Sequence, residues 1–292
     1  MAIPESQLST WSHHGAQDSS KRTHEAIRQV LDAYQWPEGM TREFYLQGSY
    51  RNATNIRGDS DVDVVLEMTS SFDHDVSALA EYEQRMLEST FRPATYGWDD
   101  FRRETLKALQ AGFGDKKVGQ GNKSIKLKAD PPRLAADVVV GMTYRRYSGY
   151  QLYVEGITFW ALSDKDWIVN YPKEHYTNGA GKSARTWDRY KRIVRMFKNA
   201  RNRLQSAGRI RSDLAPSYFV ECLLFNAPDW AYQTSYQETY RSIVNWMAQS
   251  RFDELVCQNG QQRLFGPSSD QWSIRDAKAL ADQLARLWND WE

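Results

Sequence analysis

The feature that most constrains this fold is a pair of aspartates at the start of an apolar run. Asp61-Val62-Asp63 leads directly into Val64-Val65-Leu66. Side chains two residues apart on a β-strand point to the same side of the sheet, so both carboxylates are predicted to project together. Charges on a core strand are costly unless they are solvated or neutralised by a cation. The pair therefore predicts either a solvated acidic turn or a metal site.

A Gly-Ser pair lies just upstream of these acids. Gly48-Ser49 closes a short apolar run, Phe44-Tyr45-Leu46. Backbone N–H groups of a small turn can bind phosphate oxygens, and carboxylates are the oxygen ligands that Mg²⁺ prefers. Residues 44–68 are thus predicted to form a strand, a turn and a second strand around a metal–triphosphate site.

A third acid strengthens the metal hypothesis. Asp137 interrupts the apolar run Ala135–Val140, where the alternative is a strand-edge acid in a salt bridge. Three carboxylates on adjacent strands could hold two Mg²⁺ ions about 4 Å apart, one for an attacking 3′-hydroxyl and one for the leaving pyrophosphate. An EF-hand is excluded: counted from Asp59, its sixth and twelfth positions hold Val64 and Ser70 instead of Gly and Glu.

Positive charge is concentrated in one segment. Residues 185–211 contain ten Lys or Arg and one acid, whereas the whole chain carries a net charge of +1. In a helix predicted over 185–205, Lys191, Arg195 and Lys198 share a face, which indicates either a solvated basic face or a bound anion. Ser217 and Tyr218 open the next predicted helix, where N–H groups and a hydroxyl can bind phosphate. Tyr218 either stacks on a base or packs in the core.

Composition excludes several classes of protein. The small net charge argues against a protein that coats nucleic acid. No apolar run approaches eighteen residues, and the N-terminus lacks the pattern of a signal peptide. The two cysteines, Cys222 and Cys257, have no CxxC partner and indicate core thiols in a reducing compartment. A cytoplasmic location and no membrane contact are therefore expected.

The periodicity predicts an α+β fold with a helical C-terminal part. Helices are predicted over residues 19–34, 77–88 and 98–110, loops over 70–75 and 112–122, and strands over 124–128, 135–142 and 151–162. Further helices are predicted over 185–205, 215–226, 236–249 and 273–288. We expect a core of residues 1–170, whose N-terminal helix packs on the other lobe, and a helical domain of residues 171–292.

The combined motifs resemble a known family. The segments QGSYRNATNIRGDSDVDVVLE, AADVVVGM, WIVNYPKEHY, RMFKNARNRL and LAPSYFVECLLFN are similar to those of the bacterial cGAS/DncV-like nucleotidyltransferases (CD-NTases), closest to the CdnE-like clade. The resemblance covers most of the chain. It implies a polymerase-β-like nucleotidyltransferase core with a mixed sheet, followed by an OAS-like helical domain.

The resemblance also implies an activity and a site. The expected enzyme makes a cyclic dinucleotide from NTPs in antiphage (CBASS) defence, with two Mg²⁺ ions or Mn²⁺ as a substitute. The implied catalytic and metal-binding residues are Asp61, Asp63 and Asp137. The implied nucleotide-binding residues are Gly48, Ser49, Asn170, Lys198, Ser217 and Tyr218.

Asn170 matches the position at which CdnE-like enzymes with Asn select a pyrimidine, and an amide suits a uracil edge because it both donates and accepts. UTP and ATP are therefore the expected substrates, with cyclic UMP-AMP or cyclic di-UMP as product. The expected partners are an effector protein that senses the product, and no nucleic-acid activator. A monomer is expected.

Two other functions stay open from the sequence. One is a template-independent nucleotidyltransferase that modifies RNA ends or a protein partner. The other is an inactive nucleotide- or RNA-binding module, although all three acids that activity requires are present.

Overall fold

A computed structural model of the chain describes residues 2–15, 18–57, 61–268 and 270–291. Asp59, the first acid of the excluded EF-hand pattern, lies outside this range. In chain order the elements are α1 (Glu5–Trp11), α2 (Asp18–Ala33), β1 (Arg42–Leu46), α3 (Gly48–Asn52), β2 (Asp61–Asp75), α4 (Glu81–Glu88), α5 (Trp98–Phe113), β3 (Val118–Gln120), β4 (Ile125–Leu127), β5 (Ala135–Gly149), β6 (Leu152–Ala161), β7 (Asp166–Asn170), α6 (Pro172–Arg185), α7 (Tyr190–Ser206), α8 (Ser217–Asn226), α9 (Tyr236–Gln249) and α10 (Ile274–Asn289). Short 3₁₀ turns occupy Asp229–Ala231 and Phe252–Glu254.

The chain forms two compact units. The first, here called the sheet unit, comprises Gln17–Tyr50 and Ser60–Pro172. The second, the helical unit, comprises Met1–Ala16, Arg51–Asp59 and Lys173–Glu292. The sequence analysis expected a boundary between two domains after residue 170, and this boundary stays a prediction.

The sheet unit is built on a mixed sheet. The described strands run in the order β1-β2-β5-β4-β3, with β6 paired to the second half of β5 and β7 paired to β6. β2 and β5 are parallel, and the other pairs are antiparallel. This arrangement confirms the α+β class with a mixed sheet.

Alternation along β2 and β5 separates the two faces of the sheet. Val62, Val64 and Leu66 join Ala136, Val138 and Val140 in one core with residues of α2 and α5, such as Ile27 and Phe101. Fully burying a side chain of this size is worth about 1.5–3 kcal/mol. Residues at the odd positions, including the three aspartates, consequently point to the opposite face.

Two predictions for the sheet unit were wrong. The polar residues 70–75 were expected in a loop, but β2 continues to Asp75 across a register shift between Met68 and Phe72. The Gly- and Lys-rich segment 112–122 was also expected in a loop, yet it contains β3, which pairs with β4. Both strands are held by backbone pairing that polar side chains do not prevent.

The helical unit has its own core, formed by apolar faces of α1, α7, α8, α9 and α10. The helices predicted over 215–226, 236–249 and 273–288 are confirmed within two residues. Ser273 caps α10, as its hydroxyl accepts a hydrogen bond from the Asp276 amide. Along the described parts of the chain, no helix is both long and apolar enough to cross a membrane.

The long helix predicted from residue 185 is interrupted. α6 ends at Arg185 and α7 begins at Tyr190, with Trp187 and Asp188 between them at φ angles of 49° and 60°. Trp187 was predicted on the apolar face of that helix, but it is 78% exposed. A left-handed backbone conformation at two successive residues cannot continue a right-handed helix.

Candidate active site

Three carboxylates lie together on one face of the sheet unit. Asp63 on β2 is the register partner of Asp137 on the parallel strand β5, and Asp61 lies two residues before Asp63 on the same face. All three retain some exposure to solvent, whereas their neighbours Val62, Val64 and Val138 are buried. The sequence prediction that these acids meet on adjacent strands is therefore confirmed.

Gly48 packs directly against this carboxylate group. The Gln47 amide, one residue earlier, donates a 2.9 Å hydrogen bond to the Asp63 carbonyl oxygen. Gly48 has a φ of +66°, and a Cβ at this position would lie 2.3 Å from Oδ2 of Asp63. Only glycine permits this approach, because it combines a left-handed backbone with the absence of a side chain. Ser49 follows within α3, so the predicted Gly-Ser turn is the first turn of a short helix.

Lys126 is a site residue that the sequence analysis missed. It is the register partner of Asp137 on β4, and its Nζ lies 2.5 Å from Oδ2 of Asp137. The alternation of Ile125, Lys126 and Leu127 places the lysine on the same face as the aspartates. The sequence signal that could have identified Lys126 was a single lysine between two apolar residues on a predicted strand.

The donor chemistry of this face fits a divalent cation. Three carboxylates on neighbouring strands offer the oxygen ligands that Mg²⁺ prefers. In the described part of the chain, no three His, Cys, Asp or Glu side chains are grouped closely enough to hold a metal ion as they stand. Asp137 is instead paired with Lys126. The acids could bind a cation at Asp137 once the lysine is displaced.

Asn170 ends β7 in the sheet unit, where it is the register partner of Ile157 on β6. Its side chain is partly exposed. A Cβ on the neighbouring Gly156 would lie 2.6 Å from the Asn170 carbonyl oxygen and 2.8 Å from the Tyr171 ring. Gly156 therefore allows the close backbone packing that sets the position of Asn170.

Two residues of the predicted basic face of α7, Arg195 and Lys198, are buried within the helical unit, whereas Lys191 is partly exposed. Nε of Arg195 donates a 2.6 Å hydrogen bond to the Ser12 carbonyl, and a second nitrogen of the same group donates to the Ala53 carbonyl. Burial, with the charge of Arg192, lowers the pKa of Arg195 to about 10. Nζ of Lys198, which is 1% exposed, donates a 3.0 Å hydrogen bond to the Thr54 carbonyl.

These contacts explain how several positive charges are tolerated on one helix. Backbone carbonyl oxygens accept hydrogen bonds from the charged groups of Arg195 and Lys198. The expected contact of Lys198 with phosphate stays a prediction.

Ser217 opens α8 and is bonded to an arginine that the sequence analysis did not assign. Arg201 donates a 3.0 Å hydrogen bond to the Ser217 hydroxyl and another to the Ala215 carbonyl. α8 has no side-chain cap at its N-terminus. The positive end of the helix and a guanidinium group therefore meet at Ser217, a combination that favours an anion.

Tyr218 is 42% exposed to solvent. The His175 ring lies beside it, with the centroids 5.4 Å apart and the planes inclined by 24°. Burial of the hydroxyl end raises the pKa of Tyr218, and the neighbouring thiols of Cys222 and Cys257 add to the effect. Both thiols therefore lie close to the Tyr218 hydroxyl. Its phenol ring remains available for stacking.

A buried carboxylate lies behind Tyr218. Glu221 accepts a 2.7 Å hydrogen bond from the Thr54 hydroxyl, lies 3.1 Å from Nε2 of His175, and is 3.9 Å from Nζ of Lys198. Burial raises the pKa of Glu221, but the contacts with His175, Lys198 and Thr54 more than offset it and leave the pKa below its ordinary range. Glu221 is therefore charged at neutral pH.

The mixed sheet, the parallel pair of strands that carries the acids and the adjacent Gly-Ser segment define a polymerase-β-like nucleotidyltransferase. Residues 177–289 match the C-terminal helical domain of the cGAS/DncV-like nucleotidyltransferases.

Relatives match over the length of the chain. A cyclic UMP-AMP synthase of Rhodothermus marinus is 45% identical over 295 residues, covering 100% of this chain and 99% of that protein. A cyclic nucleotide synthase, CdnE01, of Staphylococcus haemolyticus is 37% identical, with 100% of both covered. A cyclic dipurine nucleotide synthase of Elizabethkingia meningoseptica is 33% identical, with 84% of each covered.

A solved structure shares the fold. The Rhodothermus marinus CdnE c-UMP-AMP synthase, solved with Apcpp and Upnpp, superposes with a TM-score of 0.92 over 99% of this chain and 97% of that one. The chain therefore belongs to the cGAS/DncV-like nucleotidyltransferases, in their CdnE-like group.

Proposed function

We propose that this protein synthesises a pyrimidine-containing cyclic dinucleotide, cyclic UMP-AMP or cyclic di-UMP, from NTPs. The observation that carries the proposal is the register of Asp63 with Asp137, which places carboxylates from two parallel strands on one face. The full-length match to a cyclic UMP-AMP synthase supports the product class.

The register of the acids and the approach of Gly48 to Asp63 support the roles proposed for the sheet unit. Divalent cations, Mg²⁺ or Mn²⁺, would activate the 3′-hydroxyl and stabilise the pyrophosphate. Asp61, Asp63 and Asp137 would hold these cations, and Gly48 and Ser49 would hold the donor triphosphate next to Asp63. A 3′-oxygen forms a bond to an α-phosphorus while the bond to pyrophosphate breaks, and a second transfer closes the ring.

In the helical unit, Lys198 and Ser217 are proposed to contact phosphate groups, and Tyr218 to stack on a base. The exposed ring of Tyr218 and the pairing of Ser217 with Arg201 support these roles. A phosphate contact by Lys198 requires its ammonium group to exchange one of its present partners, the Thr54 carbonyl or Glu221.

Base selection is proposed to depend on Asn170. Its partly exposed amide at the end of β7 offers one donor and one acceptor group, which match a uracil edge. We infer UTP as one substrate on this basis, and the match to a cyclic UMP-AMP synthase supports ATP as the other.

The biological setting is also proposed. The product would act as a second messenger in antiphage (CBASS) defence and bind an effector protein of the same system, with no nucleic-acid activator.

The test is incubation with all four labelled NTPs and Mg²⁺. We expect a phosphatase-resistant product whose mass is that of a cyclic dinucleotide, and its loss in Asp61→Asn and Asp63→Asn variants. Asp32→Asn is the control, because Asp32 pairs with Arg42 at an exposed position of the same unit. Label found on RNA or protein, with no small cyclic product, would instead favour a template-independent transferase.

A further inference from the structure

The Tyr218 ring is contacted by two other rings although the residue is partly exposed to solvent. His175 stacks on one side of it, and Phe219 contacts it edge-on, with centroids 5.6 Å apart. Its hydroxyl lies near the thiols of Cys222 and Cys257. A ring that is held on several sides and open on another is suited to stack on a flat ligand, because little side-chain freedom is lost on binding.

His175 is in turn fixed by a buried network. Its Nε2 lies 3.1 Å from Oε1 of Glu221, whose other oxygen accepts the 2.7 Å hydrogen bond from Thr54. Nζ of Lys198 lies 3.9 Å from the same carboxylate. The position of the imidazole under Tyr218 is therefore set by three other residues of the helical unit.

The second nitrogen of His175 indicates that this residue serves more than packing. His175 is 8% exposed, and its Nδ1 is buried without a hydrogen-bond partner in the described part of the chain. An unpaired buried nitrogen costs free energy, and such groups in native structures call for an explanation. Phenylalanine would provide the ring and glutamine the donor, whereas histidine provides both at once.

We propose that His175 is a positioning residue: its imidazole, held by Glu221, fixes the plane of Tyr218 so that the ring is preorganised to stack on the nucleobase of a bound NTP. The inference rests on the proposed function, since it deepens the role given to Tyr218. It assigns His175 no part in the chemical step.

Two variants test the ring of His175 and its hydrogen-bonding group separately. His175→Phe keeps a ring under Tyr218 and removes the hydrogen bond to Glu221, while His175→Gln keeps a donor and removes the ring. The probe is 2-aminopurine riboside triphosphate, whose fluorescence is quenched when its base stacks on an aromatic ring. The quench is compared with KM and kcat for each NTP, and thermal unfolding reports stability.

We expect His175→Gln to lose most of the quench and to raise KM about 5- to 20-fold, with kcat changed less than about threefold, because stacking on an aromatic ring contributes substantially to base binding. His175→Phe is expected to lose part of the quench, because it keeps a ring beside Tyr218 but loses the hydrogen bond to Glu221, and to unfold at a lower temperature. His24→Gln is the matched control, because His24 stacks on Phe44 in the sheet unit with centroids 4.7 Å apart.

Tyr218→Ala tests the base-stacking role of Tyr218 separately from the positioning role of His175. If Tyr218→Ala leaves the quench and KM unchanged, no base stacks on Tyr218 and the role proposed for that residue is wrong. If Tyr218→Ala abolishes the quench but His175→Gln matches the wild type, base stacking stands and the positioning role of His175 is overturned. A His175→Phe variant as impaired in binding as His175→Gln, or an effect on kcat alone, would also overturn it.

Discussion

Nζ of Lys126 lies 2.5 Å from Oδ2 of Asp137, which is itself the register partner of Asp63. The lysine side chain is 53% exposed and that of the aspartate 21%. An ion pair with this much solvent contact contributes only about 0.2–1 kcal/mol. A divalent cation that gains several carboxylate ligands can therefore displace the ammonium group from Asp137.

Removing the charge of Lys126 should strengthen cation binding. In Lys126→Gln no ammonium group competes for Asp137, and we expect Mn²⁺ to bind about two- to fivefold more tightly, which corresponds to the energy of a half-exposed pair. The measurement is isothermal titration of the nucleotide-free protein with Mn²⁺. Lys117→Gln is the control, because Lys117 makes a comparable 2.6 Å pair with Asp130 at an exposed position. Weaker Mn²⁺ binding by Lys126→Gln would show that the lysine supports the cation site.

Gly48→Ala should damage the site more than the fold. The added Cβ would lie 2.3 Å from Oδ2 of Asp63, so the carboxylate has to move. The φ of +66° adds a strain of about 1–2 kcal/mol. We expect a loss of turnover of at least about 100-fold in a protein that still unfolds cooperatively.

Gly39→Ala is a matched control for that substitution. Gly39 has a φ of +77°, but a Cβ there would meet nothing within 4 Å. It should therefore show the strain in thermal unfolding and keep normal turnover. Equal losses of turnover in Gly39→Ala and Gly48→Ala would refute a specific role for the approach of Gly48 to Asp63.

Asn170→Ala should change the choice of base. The variant loses both hydrogen-bonding groups at the end of β7, so UTP use should fall about tenfold relative to ATP, equivalent to about 1.4 kcal/mol from hydrogen bonds to the base. The measurement is product composition by mass spectrometry with UTP and ATP in competition. Asn170→Asp keeps the size of the side chain and loses the hydrogen-bond donor. Its use of UTP relative to ATP should also fall. An unchanged ratio in both variants would place base selection elsewhere.

The three aspartates illustrate what the sequence could and could not predict. Acids inside apolar runs predicted the strands, and the structure brings Asp63 and Asp137 into register. Lys126 was missed although its strand was predicted, because the sequence does not show that this strand pairs with β5 and brings Lys126 into register with Asp137.

The residues of α7 show a second reason why part of the site could not be predicted from the sequence. The spacing of Arg195 and Lys198 predicted a shared face correctly, but it could not show that the carbonyls of residues 12, 53 and 54 lie against that face. Those partners are more than 140 positions away in the chain, and such long-range contacts leave no local pattern. The network of Glu221 with His175 and Thr54 escaped for the same reason.

Glu221 makes the stability of the protein depend on acidic pH. Its pKa in the folded state lies below the ordinary value of 4.5, so the unfolded chain binds a proton at a higher pH than the folded one. The stabilisation by Glu221 is therefore fully present above about pH 4.5 and is lost as the pH falls through the folded-state pKa.

Glu221→Gln should remove that contribution. At neutral pH we expect the variant to be destabilised by about 3–5 kcal/mol, because the buried Lys198 loses its counter-charge. Below pH 4.5 the difference from the wild type should shrink, since the wild-type carboxylate then begins to be protonated. Denaturant unfolding between pH 3.5 and 7 measures both effects. Asp253→Asn is the control, as Asp253 is 64% exposed and pairs with Arg251 at 3.7 Å. A difference between wild type and Glu221→Gln that grows as the pH falls would contradict a charged Glu221 in the folded state.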